Sequence, residues 1–177
     1  MIRTGIPPEW DHLIIPLSMC VTPQTLVSNE VGLGDEVFVV GLFRHHHGTL
    51  KNIPIVRVGN LAALTEEKVS TKDFGLVDAY LIEARSIGGL SGSPVFMNLG
   101  VVRYVGGAVK HAHGGPIFFL LGLIHGHYDV PSSAVDGVSE DATETEQLSS
   151  ERVNTGIAIV VPMEKIVEVM NAHAPNG

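Results

Sequence analysis

This 177-residue chain consists largely of short apolar runs separated by glycine, proline, asparagine and aspartate, and the short spacing of these turn-forming residues limits what the chain can fold into. Short apolar or alternating runs bounded by turn-forming residues are typical of β-strands. Only two stretches favour helix, a weak turn at 65–69 and a C-terminal helix at 162–172 that starts at Pro162. Several short strands before one helix predict an all-β fold built on a closed antiparallel barrel. The predicted strands lie at 37–42, 53–58, 76–82, 101–105, 117–124 and 156–161.

Composition narrows the class of protein further. A hydrophobic content of 45% with 20 glycines suits a β-rich globular core. The net charge of −8, with only 11 Lys and Arg and no basic run, argues against nucleic acid or an anionic membrane surface as a partner. The single Cys20 excludes an internal disulfide, and no apolar run reaches transmembrane length. Residues 131–152 hold six of the 19 acidic residues and no apolar period, which predicts a mobile loop.

One glycine-rich segment, Gly88 to Phe96, places Ser91 in a turn that leads into a predicted strand at 95–97. A hydroxyl that attacks a carbonyl must stand clear of bulky neighbours, and the backbone around it must aim two N–H groups at the developing oxyanion. Glycines at 89 and 92 permit such a turn. Ser91 is therefore the candidate nucleophile, and the backbone N–H groups of Gly89 and Ser91 are the candidate oxyanion-hole donors. An ordinary Gly/Ser turn is the alternative.

This turn resembles the Gly-x-Ser-Gly-x-Pro signature of trypsin-like serine peptidases. Residues 34–41 (GDEVFVVG), 121–126 (LGLIHG) and 154–162 (NTGIAIVVP) resemble further strands of the bacterial high-temperature-requirement type, in the same order. The resemblance covers residues 34–170. It implies the C-terminal lobe of a chymotrypsin fold, a six-stranded antiparallel Greek-key barrel with a C-terminal α-helix. It also implies a serine endopeptidase that needs no cofactor and whose partner is a polypeptide substrate.

The other members of a catalytic triad are harder to find. In the resembled family the chain order is His, Asp, Ser, and Asp11 precedes an apolar stretch that resembles the family's Asp element. Asp11 is thus the candidate orienting acid, with an ordinary turn Asp as the alternative. No His lies among the ten residues before it. We therefore expect a fragment: residues 1–30 as a remnant of an N-terminal barrel and its linker, and residues 31–177 as the C-terminal barrel. Without the missing N-terminal lobe, the chain alone should not hydrolyse peptides.

The resemblance also assigns candidate substrate-binding residues. Arg85 lies six positions before Ser91, where the family often sets the floor of the primary pocket, and it would favour an acidic side chain. A solvated loop position is the alternative for Arg85. His125, Gly126 and His127 lie on the strand that lines the family's cleft and pairs with the bound peptide by β-augmentation.

The nine histidines suggest a different function, since pairs two apart on a strand face one side and can supply two metal ligands. Such pairs occur at 111/113 and 125/127, whereas the consecutive histidines 45–47 cannot converge on one ion in an extended chain. With one Cys, further ligands would have to be His, Asp129 or Glu. Three hypotheses follow: a fragment of a serine endopeptidase, a protease-like barrel that binds peptides without catalysis, and a His-rich metal-binding β-protein.

Overall fold

A computed structural model describes residues 14–42, 49–71, 74–84, 90–111, 117–131 and 152–173, together with positions 7 and 9. Six of the described strands close into an antiparallel barrel, and a C-terminal helix packs against it. The predicted fold class is therefore confirmed. The elements in chain order are a 3₁₀ helix Leu17–Met19, α1 Pro23–Ser28, β1 Glu36–Leu42, β2 Pro54–Leu64, β3 Val69–Thr71, β4 Gly75–Val77, β5 Tyr80–Glu83, β6 Pro94–Asn98, β7 Val102–Val105, β8 Ala108–His111, β9 Phe118–Pro131, β10 Arg152–Pro162 and α2 Met163–Ala172.

The barrel runs in the order β1-β2-β5-β10-β9-β6 and returns to β1. Around the barrel, β1, β2 and β5 follow one another in the order of the chain, and β10, β9 and β6 follow in the opposite order. This is a Greek-key arrangement. The strands alternate as a half-buried surface requires: on β1, Val37 and Val39 are fully buried while Phe38 and Val40 are half-buried. The two other strand pairs, β3-β4 and β7-β8, form small sheets outside the barrel. The largest fully buried side chains are Leu61, Ile82, Met97, Leu121, Val37, Val39, Val95 and Val160.

The segment before β1 and the C-terminal helix meet on the outside of β9. Cys20 pairs with Leu120 in a parallel bridge, and the Val21 N–H donates to the Leu120 carbonyl at 2.9 Å. Cys20, Leu120 and Met163 of α2 form a buried cluster, with Phe96, Ile166 and Val167 packed around it. This cluster fixes α2 to the barrel. None of the described helices is long and apolar enough to cross a membrane.

Several predicted elements differ in their bounds. The strand predicted at 76–82 is two strands, β4 and β5, which belong to different sheets. β4 ends before Asp78, and the Ala79 carbonyl accepts a hydrogen bond from the Thr65 hydroxyl. Between β4 and β5, a side chain therefore satisfies a backbone group that a neighbouring strand would otherwise pair. The turn predicted at 65–69 forms no helix. Helix α1 was not predicted, although Thr22 caps it in a box with Thr25 and Pro23 occupies its first turn. Pro162 is the N-cap of α2 rather than its first residue.

An ion pair ties the β7-β8 hairpin to the chain that precedes β1. The Arg103 guanidinium donates to both Asp35 carboxylate oxygens, at 2.9 and 2.6 Å, and to the carbonyls of Asn29 and Glu30 at 2.6 and 2.8 Å. Partial burial favours a raised pKa for Asp35, but hydrogen bonds from Arg103 and Gly32 and the charge of Arg103 outweigh it, and this pKa lies below its usual value. The pair is more than a surface contact, because four donor bonds fix one planar group.

Arg103→Lys should lower the free energy of unfolding by about 1–2 kcal/mol, because an ammonium cannot replace the planar fork. Since the folded pKa of Asp35 is depressed, its contribution is present above the unfolded value of about 3.9 and is lost as the pH falls through the folded value. Urea unfolding between pH 7 and pH 2 measures both effects. In Asp35→Asn, the free energy of unfolding should fall less steeply as the pH is lowered. Lys165→Gln, which removes an exposed pair with Glu168, is the control and should change little.

Candidate active site

The serine turn connects the barrel core to an exposed hydroxyl. Leu90 is buried in the core, Ser91 is exposed, and Gly92 has a φ of +84°, the left-handed region that favours glycine. The Ser93 N–H donates to the Leu90 carbonyl at 2.9 Å and closes the turn. The strand that follows the serine, predicted at 95–97, is β6, which begins one residue earlier at Pro94 and ends one residue later at Asn98. The buried leucine thus anchors a turn whose next residue projects into solvent.

The serine turn is joined to β9 by two backbone hydrogen bonds. The Gly92 N–H donates to the Ile124 carbonyl at 2.7 Å, and the Ile124 N–H donates to the Ser93 carbonyl at 2.9 Å. These bonds extend the β6-β9 ladder, which runs from Asn98↔Phe118 to Pro94↔Leu123. The barrel therefore holds the backbone on the C-terminal side of Ser91, at Gly92 and Ser93. This is the preorganisation that a nucleophile and its oxyanion donors require.

β1 supports the same turn from below. A Cβ atom on Gly41 would come within 2.6 Å of the Ser93 Oγ and 2.8 Å of the Leu90 Cδ2. Such distances are far shorter than van der Waals contacts, so the turn rests directly on the Gly41 backbone. The last glycine of the 34–41 motif therefore has a packing reason: it lets the turn sit close to β1.

Ser91 keeps its polar groups unpaired within the part of the chain that the structure describes. Its hydroxyl has no hydrogen bond to a described residue, whereas the N–H groups of Gly92 and Ser93 are both used within the turn and ladder. The Ser91 N–H likewise has no described acceptor. No described histidine bonds to Ser91. The turn thus presents a hydroxyl and an N–H together, without a base from the described residues.

Beyond Ile124, β9 continues away from the serine turn. The register between β9 and β10 shifts at His125, which lies between the pairs Ile124↔Val160 and Gly126↔Ile159. Past this bulge His127 lies opposite Ala158, a core residue, and its Nε2 is 3.2 Å from the Asp129 Oδ1. His125 instead contacts the Phe74 ring. A Cβ on Gly126 would meet no atom within 4 Å, so this part of the strand is open to a ligand.

Three of the predicted site residues, Asp11, Arg85 and Gly89, lie outside the described residues, so their predicted roles stay predictions. The other four predicted site residues are described: Ser91, His125, Gly126 and His127. The hydrogen bonds from the serine turn to Ile124 place Ser91 near the part of β9 that holds residues 125–127.

Among the described residues, the histidine pairs do not form a metal site. His125 and His127 contact different groups, because the bulge interrupts the alternation that would place them on one side. Among the described residues no group of three or more His, Cys, Asp and Glu could hold a metal ion. Histidines 45–47 and 113 lie outside the described residues.

One residue of this site was missed in the sequence. The Phe74 and His125 ring centroids are 4.9 Å apart and the ring planes meet at 69°, an edge-to-face contact. Phe74 precedes β4, and no local pattern links it to a histidine 51 positions later in the chain. An exposed aromatic at a hairpin tip was the available signal.

Comparisons with known proteins leave the chain without an assigned family: no family model, no curated protein and no solved structure matches it.

Proposed function

We propose that this chain is the nucleophile-bearing barrel of a serine endopeptidase, in which Ser91 attacks the scissile carbonyl. The observation that carries the proposal is the serine turn: an exposed Ser91 between a buried leucine and a left-handed glycine, clamped to β9 by two backbone hydrogen bonds. A binding turn needs no such exposed hydroxyl beside an N–H that has no acceptor among the described residues. A nucleophile needs both.

The chemistry is acyl transfer. The Ser91 Oγ forms a bond to the carbonyl carbon while its proton passes to a base, and the carbonyl oxygen takes up the negative charge. The Ser91 N–H, with that of Gly89, would stabilise this oxyanion. The base then gives the proton to the leaving amine as the C–N bond breaks, and water hydrolyses the resulting ester. Asp11 would orient the base, and no cofactor takes part.

In this proposal the base comes from a second lobe, since no described histidine bonds to Ser91, and an exposed apolar surface on β2 supports such a partner. On the outside of the barrel, Val56 and Val58 of β2 are 61% and 64% exposed, and Leu42 at the end of β1 is also exposed. Val56 pairs with Val40, one residue before the Gly41 that carries the serine turn. A lobe that covered these apolar side chains would lie against β1 and β2, and the proposal requires that it also extend to Ser91.

The proposal is tested with a fluorophosphonate probe, which reacts with activated serines. The chain alone should label at most weakly, because no base takes the Ser91 proton. The same chain extended by about one barrel of upstream coding sequence should label strongly and should hydrolyse a peptide mixture. Normal folding of the extended protein, checked by its thermal transition, without labelling or hydrolysis would contradict the proposal. It would favour the alternative, a protease-like barrel that binds peptides without cleaving them.

A further inference from the structure

The β3-β4 hairpin lies across the outer side of β9 and is fixed there. The Tyr128 hydroxyl of β9 donates to the Ser70 carbonyl of β3 at 2.6 Å. Val69, Ala79 and Ile159 form a buried cluster beneath the hairpin, with Tyr128 packed against it. The base of the hairpin is therefore part of the barrel wall.

Hydrogen bonds within the hairpin hold Phe74, the residue before β4. The Phe74 N–H donates to the Thr71 Oγ1 at 3.2 Å, and that hydroxyl donates to the Gly75 carbonyl at 2.9 Å. With its ring against His125, Phe74 is held from both sides. Even so, Phe74 is 67% exposed and Leu76 is 65% exposed. Phe74 and Leu76 therefore present apolar side chains to solvent.

This surface lies next to an edge of β9 that no described residue occupies. On the side away from β10, the ladder ends at Ile124, where the serine turn donates its last hydrogen bond. The next residue along β9 is His125, the one that touches Phe74. A peptide that paired antiparallel with this edge would run toward Ser91, so the residues before its cleaved bond would lie along it. Alternate side chains of that peptide would point toward the hairpin.

We propose that Phe74, Leu76 and His125 form a subsite that selects an aromatic or large aliphatic side chain in a peptide bound along β9. The inference rests on the proposed function for its ligand, a polypeptide, and it adds which side chain that polypeptide needs. An aromatic side chain gains edge or face contact with the two rings and buries Leu76, whereas a small polar side chain leaves Phe74 and Leu76 exposed. Hydrogen bonds and the His125 ring already hold Phe74, so this side chain loses little conformational freedom when a peptide binds, which adds to the selectivity.

The test measures binding rather than cleavage, so it does not depend on the missing base. Fluorescein-labelled octapeptides with Phe, Leu, Ser or Asp at successive positions are titrated against the 177-residue chain, with fluorescence anisotropy as the readout. At one position Phe should bind about tenfold more tightly than Ser. Phe74→Ala should remove most of this ratio, and Phe74→Tyr should keep it. Tyr104→Ala is the matched control, because Tyr104 is equally exposed on the other hairpin.

Each outcome separates the subsite from the catalytic proposal. A Phe preference that depends on Phe74 supports the subsite, even if the extended protein fails to react with the fluorophosphonate. Normal hydrolysis by the extended protein without any dependence on Phe74 overturns the subsite and leaves the catalytic proposal standing. Peptides that do not bind the chain at all, or a preference that Tyr104→Ala removes equally, also overturn the subsite. An unchanged thermal transition of Phe74→Ala establishes that folding is retained.

Discussion

In the upstream-extended protein, Ser91→Ala is expected to abolish fluorophosphonate labelling and to lower kcat for peptide hydrolysis by at least about 10⁴-fold. The physical reason is that the covalent route requires this hydroxyl, and what remains without it is the oxyanion hole acting on water. The stability of the barrel should hardly change, because Ser91 is exposed and its hydroxyl bonds to no described residue. Labelling, steady-state kinetics and thermal unfolding on the same preparation measure these effects together.

Ser93→Ala is the matched control. Ser93 lies two residues along the same turn, is half-buried, and uses its backbone N–H to close the turn on Leu90. Its side chain is directed at Gly41 rather than at solvent. Removal of this hydroxyl should therefore leave most of the labelling in place. Equal loss in both variants would mean that the turn, and not the Ser91 hydroxyl, governs reactivity. Full labelling of Ser91→Ala would place the nucleophile elsewhere.

The barrel was predictable because its strands carry local signals. Residues 37–40 are an unbroken apolar run of β-branched and aromatic side chains, and Gly41 follows them, so a short window contains the whole pattern. The second half of β9 carries no such signal. Residues 125–129 are two histidines, a glycine, a tyrosine and an aspartate around a bulge, and their strand conformation comes from pairing with β10. Tertiary pairing extends β9 seven residues beyond the predicted strand end at 124.

The candidate site was predictable in part for the same reason. Ser91 was found because its turn is contiguous in sequence, with glycines and a proline at close spacing. The contact of Phe74 with His125 and the ion pair of Arg103 with Asp35 join residues far apart in the chain. Such pairs leave no periodic trace in one sequence, and only the closed barrel brings them together.

The glycine at position 41 is the point where the fold and the proposed chemistry depend on each other most directly. Gly41→Val is expected to lower fluorophosphonate labelling of the extended protein by about 100-fold, because its side chain would overlap the Ser93 Oγ and the Leu90 Cδ2. The turn would have to move away from β1, and two hydrogen bonds would be strained: the one that the Gly92 N–H donates to the Ile124 carbonyl and the one that the Ser93 carbonyl accepts from the Ile124 N–H. Overpacking of this kind should also cost about 1–3 kcal/mol of unfolding free energy.

A graded series separates displacement of the turn from a general loss of stability. Gly41→Ala adds a single methyl group, and the two atoms that it would approach within 3.0 Å, the Ser93 Oγ and the Leu90 Cδ2, are both ends of side chains, so its effect on labelling should fall between wild type and Gly41→Val. Gly32→Ala is the control, because a Cβ there meets no atom within 4 Å and the φ of Gly32 is not positive. Urea unfolding distinguishes displacement of the turn from loss of stability, because it shows under which conditions Gly41→Val is folded. Labelling should fall even under those conditions. Full labelling of a folded Gly41→Val would show that β1 does not position Ser91, and the serine turn would then owe its geometry to β9 alone.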